Sequence, residues 1–241
     1  MRAALLIARR ELSGYLVTFS GYVIIAVVLA LHGVFFNAYA LGGASKRSAE
    51  VLQGFFWSCF GFTAVAAVLI SMRLLAEERQ TGTIDLLYSS PVKDGEIIFG
   101  KYLSSLAFLA LYLVATAYMP ALVLVNGKVS FGQIVAGYFG SFLVGSACLA
   151  VGIFGSALAR SQLVAAIASG CMVISLVISW LLAKVSDRPL TDIFTNLALY
   201  QQHFPPFEKG LIHVRDVVYY LALTYLGLFV ATRVLEARRW K

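Results

Sequence analysis

Near the middle of the chain, Gly95-Glu96-Ile97-Ile98-Phe99-Gly100-Lys101 fits G-x-x-x-x-G-K, the start of a loop whose amides and lysine cradle phosphate. Tyr102 follows where a Ser or Thr would hold magnesium. No strand precedes the motif, and its Ile-Ile-Phe core runs on into a long apolar stretch. Nucleotide binding is therefore not expected in this chain. His203 and His213 lack a companion ligand motif, and no Ser–His–Asp set or carboxylate pair stands near a span end, so neither a metal site nor a catalytic site is expected. Cys59, Cys148 and Cys171 all fall in apolar stretches, which argues against a disulfide framework. Two other sets could carry function. Glu77 and Glu78 end an apolar stretch, where the plain alternative is a solvated helix end. His32 and Asn37 are strongly polar groups well inside the first apolar stretch. Such groups often mark a pathway through a membrane, the alternative being a hydrogen-bonded packing residue.

The elements that must position these residues are membrane helices. Of 241 residues, 60% are hydrophobic and 13% charged, with mean hydropathy +0.84. A soluble domain carries about 45–50% apolar and about 25% charged residues. Charge-free stretches recur at spacings that fit helices of about 20 residues, enough to cross a hydrocarbon core roughly 30 Å thick. Six spans are expected, at 17–41, 54–75, 99–125, 133–158, 162–184 and 214–235. Ala38-Tyr39-Ala40 imitates a signal-peptide cleavage site, but the apolar run before it is longer than the roughly 7–15 residues of a signal core, so the first span is read as retained. Ser141, Gly145, Gly152 and Ser156 form a small-residue stripe on the fourth span, suited to close helix packing inside the chain or, second, to a dimer seam.

Six spans place both termini on one side. If that side is the cytoplasm, it holds Arg2, Arg9, Arg10, Arg73, Arg79, Lys93, Lys101, Arg160, Arg233, Arg238, Arg239 and Lys241, most of the 19 basic residues. Residues 1–15 read as an amphipathic interfacial helix, with Leu5, Leu6 and Leu12 on its apolar side and Arg9, Arg10 and Glu11 opposed. Between spans two and three, Gly82 ends one helix. Thr83 is placed to cap a short new one, Ile84–Tyr88, which Pro91 follows. Its Ile84, Leu86 and Leu87 form an apolar knob that needs a partner's cover. Between spans five and six, two apolar-aromatic pieces, 193–200 and 204–212, flank Pro205-Pro206. They are too short to span and are expected to cap the outer end as short helices, with Phe204, Pro205, Pro206, Phe207 and Gly210 as an outer gate. Arg215 and Asp216, at the start of the last span, read as interfacial anchors, and Trp57, Trp180 and Trp240 as belt residues.

The succession Glu77-Glu78, Gly82-Thr83, Leu86-Leu87, Pro91 and Gly100-Lys101 resembles the permeases of type-2 ABC exporters. His203-Phe204, Phe207 to Ile212, Arg215 to Tyr219 and the closing Leu235 to Trp240 are similar to the gliding-motility and copper-enzyme-maturation branch of that family. The resemblance covers nearly the whole chain, 1–241, as one permease domain of all-α integral membrane fold. It implies a dimer with a second or homologous permease, with the short cytoplasmic helix docked on each of two separate ABC ATP-binding subunits. The coupling residues would be Glu77, Glu78, Gly82, Thr83, Ile84, Leu86, Leu87 and Pro91. The chain itself would need no cofactor, ATP and magnesium sitting in the partner. It would lie in a bacterial cytoplasmic (inner) membrane, with the lipid bilayer and possible accessory subunits around it and no nucleic acid. The alternative is a membrane scaffold or mechanotransmission subunit that moves without transporting anything.

Overall fold

The computed structural model describes residues 2–41, 47–84, 92–127, 129–188 and 190–239, and these form helices and turns with no strand among them. In chain order the helices are α1 (Arg2–Val17), α2 (Phe19–Leu41), α3 (Ser48–Ser71), α4 (Ala76–Gln80), α5 (Asp94–Ala115), α6 (Tyr118–Asn126), α7 (Phe131–Leu158), α8 (Gln162–Val185), α9 (Leu190–Leu197), α10 (Pro205–Glu208) and α11 (Val214–Arg239). Six helical stretches are long and apolar enough to cross a membrane: Gly21–Tyr39, Ser48–Gln80, Asp94–Val125, Phe131–Leu158, Gln162–Val185 and Val214–Arg238. They coincide with the six expected spans. Of the expected helix Ile84–Tyr88, only Ile84 is among the described residues; Leu86, Leu87 and Pro91 lie outside them.

The bundle is built around α7, whose 28 residues reach about 42 Å and which packs against α3, α5, α8, α10 and α11. Lipid supplies no hydrophobic drive between helices, so association depends on close van der Waals fit and buried hydrogen bonds. The small residues of α7 provide that fit. A Cβ on Gly152 would stand 2.0 Å from the Ser71 Oγ of α3, and one on Gly145 would stand 2.3 Å from Leu109 Cδ2 of α5. The stripe therefore packs inside the chain.

Three local expectations are corrected. The second span is not one helix to residue 75: α3 ends at Ser71, and the chain turns before α4. Ser156 holds that break, its hydroxyl oxygen accepting the N–H groups of Leu75 and Ala76 at 3.1 Å each. The third span is also interrupted, at Thr116–Ala117 between α5 and α6. Pro120 has no N–H for the Thr116 carbonyl, as any proline inside a helix lacks one. The Met119 N–H takes that carbonyl instead at 3.1 Å, and the Thr116 hydroxyl meets Tyr138 of α7. The third correction concerns α1. Ala4, Ala8 and Tyr15 are its buried residues and Leu12 packs beside them, whereas Leu5 and Leu6 are exposed. Glu11 sits on the packed side, not on the opposed polar one.

Candidate functional site

The end of the bundle that holds both chain termini carries a cluster of charges from three elements. Lys101, in the second turn of α5, is 1% exposed. Its Nζ donates to Glu11 Oε1 of α1 at 2.9 Å and to Glu78 Oε1 of α4 at 2.8 Å. Gly100 makes this reach possible: a Cβ there would lie 2.7 Å from the Ala4 carbonyl oxygen, so only glycine lets α1 lie flat on α5. The Gly-Lys pair that imitates a phosphate loop is thus a packing glycine and a buried ion-pair lysine. Beside it, Arg73 grips Glu77 with two bonds of 2.9 and 3.0 Å. Tyr15 donates to the Ile70 carbonyl at 3.2 Å and stacks on Phe108, and burial pushes its phenol above the ordinary range.

Helix α4 is closed at Gly82, as the sequence suggests. Gly82 takes a left-handed φ of 72°, a conformation glycine adopts without Cβ strain. The Thr83 hydroxyl donates back to the Glu78 carbonyl at 3.3 Å, and the helix it was expected to cap lies outside the described residues. Two further bonds fix α4 to the turn from α7 into α8: Arg79 Nη1 to the Ala159 carbonyl at 3.1 Å, and the Gln162 N–H to Gln80 Oε1 at 3.4 Å.

Between these groups lies a cavity of about 560 Å³, lined by Glu11, Tyr15, Arg73, Glu77, Glu78 and Lys101 among others. Thr83 and Val92 are both on its wall. The segment that leaves at Ile84 and returns at Val92 therefore starts and ends at this rim. Of the sequence-predicted set, Glu77, Glu78, Gly82 and Thr83 gather here. Glu11, Tyr15 and Arg73 were not anticipated. A signal for one was present: Glu11 is the first acid in the chain and Glu50 the next, while Lys101 has no acid three or four residues away on its own helix. A lysine this deep must be paired, so its partners had to come from elsewhere.

The opposite end is closed by the chain between α8 and α11. The Leu199 N–H donates to the Leu176 carbonyl at 3.2 Å, nine residues before the end of α8. The segment thus dips back roughly 14 Å along that helix. Non-helical backbone at such depth must find partners in protein. It does: Tyr219 donates to the Leu197 carbonyl, Tyr220 to Leu199 and Gln133 to Glu208, at 2.7–2.8 Å. Phe204 and Phe207 are fully buried. Phe204 packs on Phe60 of α3, and Phe207 lies where a Cβ on Gly140 of α7 would be, 2.7 Å from its own Cβ. Pro205 and Pro206 open α10. Gly210, at φ 83°, ends it in a left-handed turn whose N–H groups return from Gly210 to Phe207 and from Leu211 to Pro206.

Asp216 is fully buried and is no surface anchor. It accepts from His203 Nδ1 at 2.8 Å, while His203 Nε2 faces the Asn196 carbonyl at 3.2 Å and the ring stacks on Tyr219. The Arg215 side chain is mainly exposed. His32 and Asn37 are not brought together. His32 is buried between α2, α3 and α5, against Ser58 and Tyr112 and stacked on Phe55 and Phe62, whereas Asn37 is exposed.

This arrangement holds charges and backbone in place; among the described residues no group of three His, Cys, Asp or Glu is placed to hold a metal. A comparison with curated proteins finds no match. A comparison with family models matches residues 34–207 to the family described as ABC-2 family transporter protein. That match takes in α4, Lys101 and the re-entrant segment as far as Phe207, and with six membrane-length helices around them the chain belongs to the ABC-2 transporter family, as a permease subunit of the kind that works with an ABC ATP-binding partner.

Proposed function

We propose that the chain is the permease of an ATP-driven exporter, working as a dimer with two copies of a separate ATP-binding subunit that carries ATP and magnesium. The observation that carries this reading is Lys101, buried between Glu11 and Glu78 beside a cavity whose rim bears both ends of the segment 84–92. A subunit docked on that segment pushes on α4 and α5 at once, and the buried ion pairs pass the displacement to α1. The termini end then faces the cytoplasm of a bacterial inner membrane, and the re-entrant segment, with Phe204, Pro205, Pro206, Phe207 and Gly210, is the outer gate. His203, Gly210 and Asp216, which hold that segment, are also motif residues of the gliding-motility and copper-enzyme-maturation branch, and this supports placing the chain there. The test is co-purification. The ATP-binding subunit should stay with the wild-type chain and be lost from the Leu86→Asp/Leu87→Asp variant, whose thermal unfolding should be unchanged. Full retention by the double variant refutes the docking role.

A further inference from the structure

The end opposite the ion cluster has a second cavity, of about 590 Å³, lined by Tyr39, Glu50, Gln53, Gly54, Trp57, Tyr200 and Glu208. Its size is within the range of small-molecule sites, roughly 300–1,000 Å³, and it is an open groove in which Trp57 is half-exposed. Glu50, Gln53, Gly54 and Trp57 are spaced three, four and seven apart, so they share one face of α3. Gly54 opens that face to the Tyr39 ring, which occupies the place of a Cβ. The third wall is the re-entrant segment, through Tyr200 and Glu208. Three aromatic rings and two carboxylates thus converge in a chain whose net charge is +7.

Glu208 makes this more than an acidic rim. It is 8% exposed. Its Oε1 accepts the Tyr200 hydroxyl at 2.9 Å, and no ion pair to it is found among the described residues. The groups that face it are the Tyr200 hydroxyl, Lys209 next in the chain, Gln133 of α7 at its backbone carbonyl, and Glu50 across the cavity from α3. Burial pushes its carboxyl up to about 7, against the weaker opposing effects of Tyr200 and Lys209. Among the described residues no cation pairs with this carboxylate. The faces of Trp and Tyr attract cations too, and together with an acid they select an ammonium over a neutral molecule of the same shape.

We infer that this cavity is a binding site for a small organic ammonium ion, held by the Glu208 and Glu50 carboxylates and the rings of Trp57, Tyr39 and Tyr200. The site lies near the start of α3, while the ion cluster lies beyond its end, so it stands whether or not the chain docks an ATPase.

The probe is choline, with 3,3-dimethylbutan-1-ol as its uncharged isostere, titrated into the full chain in nanodiscs. Trp57 fluorescence is read in a Trp180→Phe/Trp240→Phe background. Saturable quenching by choline at pH 8 and none by the alcohol is expected. Affinity should fall about tenfold or more at pH 5.5, as Glu208 takes up a proton. Glu208→Gln should weaken binding to a similar degree at pH 8 and leave less pH dependence. If Glu208→Gln does not fold, Glu50→Gln, on an exposed residue, serves in its place and should weaken binding severalfold. No saturable quenching, equal quenching by the alcohol, or wild-type affinity in a folded carboxylate variant overturns the site.

Discussion

Lys101 shows how differently one residue reads alone and in its setting. In sequence it completes a phosphate-loop pattern; in space it is a buried cation shared by two carboxylates. Removing one member of such a set leaves uncompensated buried charge, at a cost of about 3–5 kcal/mol, whereas replacing the whole set by apolar side chains of similar size is often neutral. Lys101→Met should therefore lower the thermal stability of the purified chain markedly, and Glu11→Leu/Glu78→Leu/Lys101→Met should restore it. If the ions also transmit motion, the restored triple variant should still bind the ATP-binding subunit but turn over ATP without coupling to transport. A single Lys101→Met variant as stable as wild type would mean that the ion pairs do not form. The acidic pair Glu77-Glu78 was legible in sequence as a feature of this end. The partner Glu11 was not, because a one-dimensional reading of α1 places it by its charge rather than by the helix it touches.

At the scale of elements, hydropathy located all six spans, since length and apolar composition suffice for that. It could not find the breaks within them. Pro120 is visible in sequence, but whether it bends, breaks or ends a helix depends on which groups receive the freed carbonyl, here the Met119 N–H. The face of α1 was misjudged for a related reason. An interfacial helix meets both lipid and protein, so Leu5 and Leu6 are exposed while the smaller Ala4 and Ala8 pack on α5 beside Gly100. The short helices between α8 and α11 were legible from their aromatic content and from Pro205-Pro206; re-entry was legible only as the most a segment too short to span could do, because it depends on the backbone acceptors that Tyr219 and Tyr220 satisfy. As the proposed outer gate, that segment would hold still until the bundle opens. Leu176→Cys with Leu199→Cys, in a background lacking Cys59, Cys148 and Cys171, places two thiols where the backbones already meet. Oxidation should lock the segment and suppress ATP turnover by the complex, with recovery on reduction. Turnover that ignores the cross-link would leave the segment a passive cap.

As a whole, the molecule is two fixed ends joined by α7. At the termini end, Ser156, at the foot of α7, holds the break before α4, and Arg238 of α11 bonds the Leu158 carbonyl at 2.8 Å. At the other end, Gln133, in the first turn of α7, holds the re-entrant segment. A displacement at α4 therefore has a stiff, close-packed path to the opposite end, which is what the proposed drive by a separate ATP-binding subunit requires. The most direct test of that division of labour is magnesium-dependent ATP hydrolysis in nanodiscs, by the purified chain alone and after addition of its ATP-binding subunit. No hydrolysis is expected from the chain alone, and turnover that responds to the permease is expected once the subunit is present. Sustained hydrolysis by the chain alone, abolished by Lys101→Met, would contradict it.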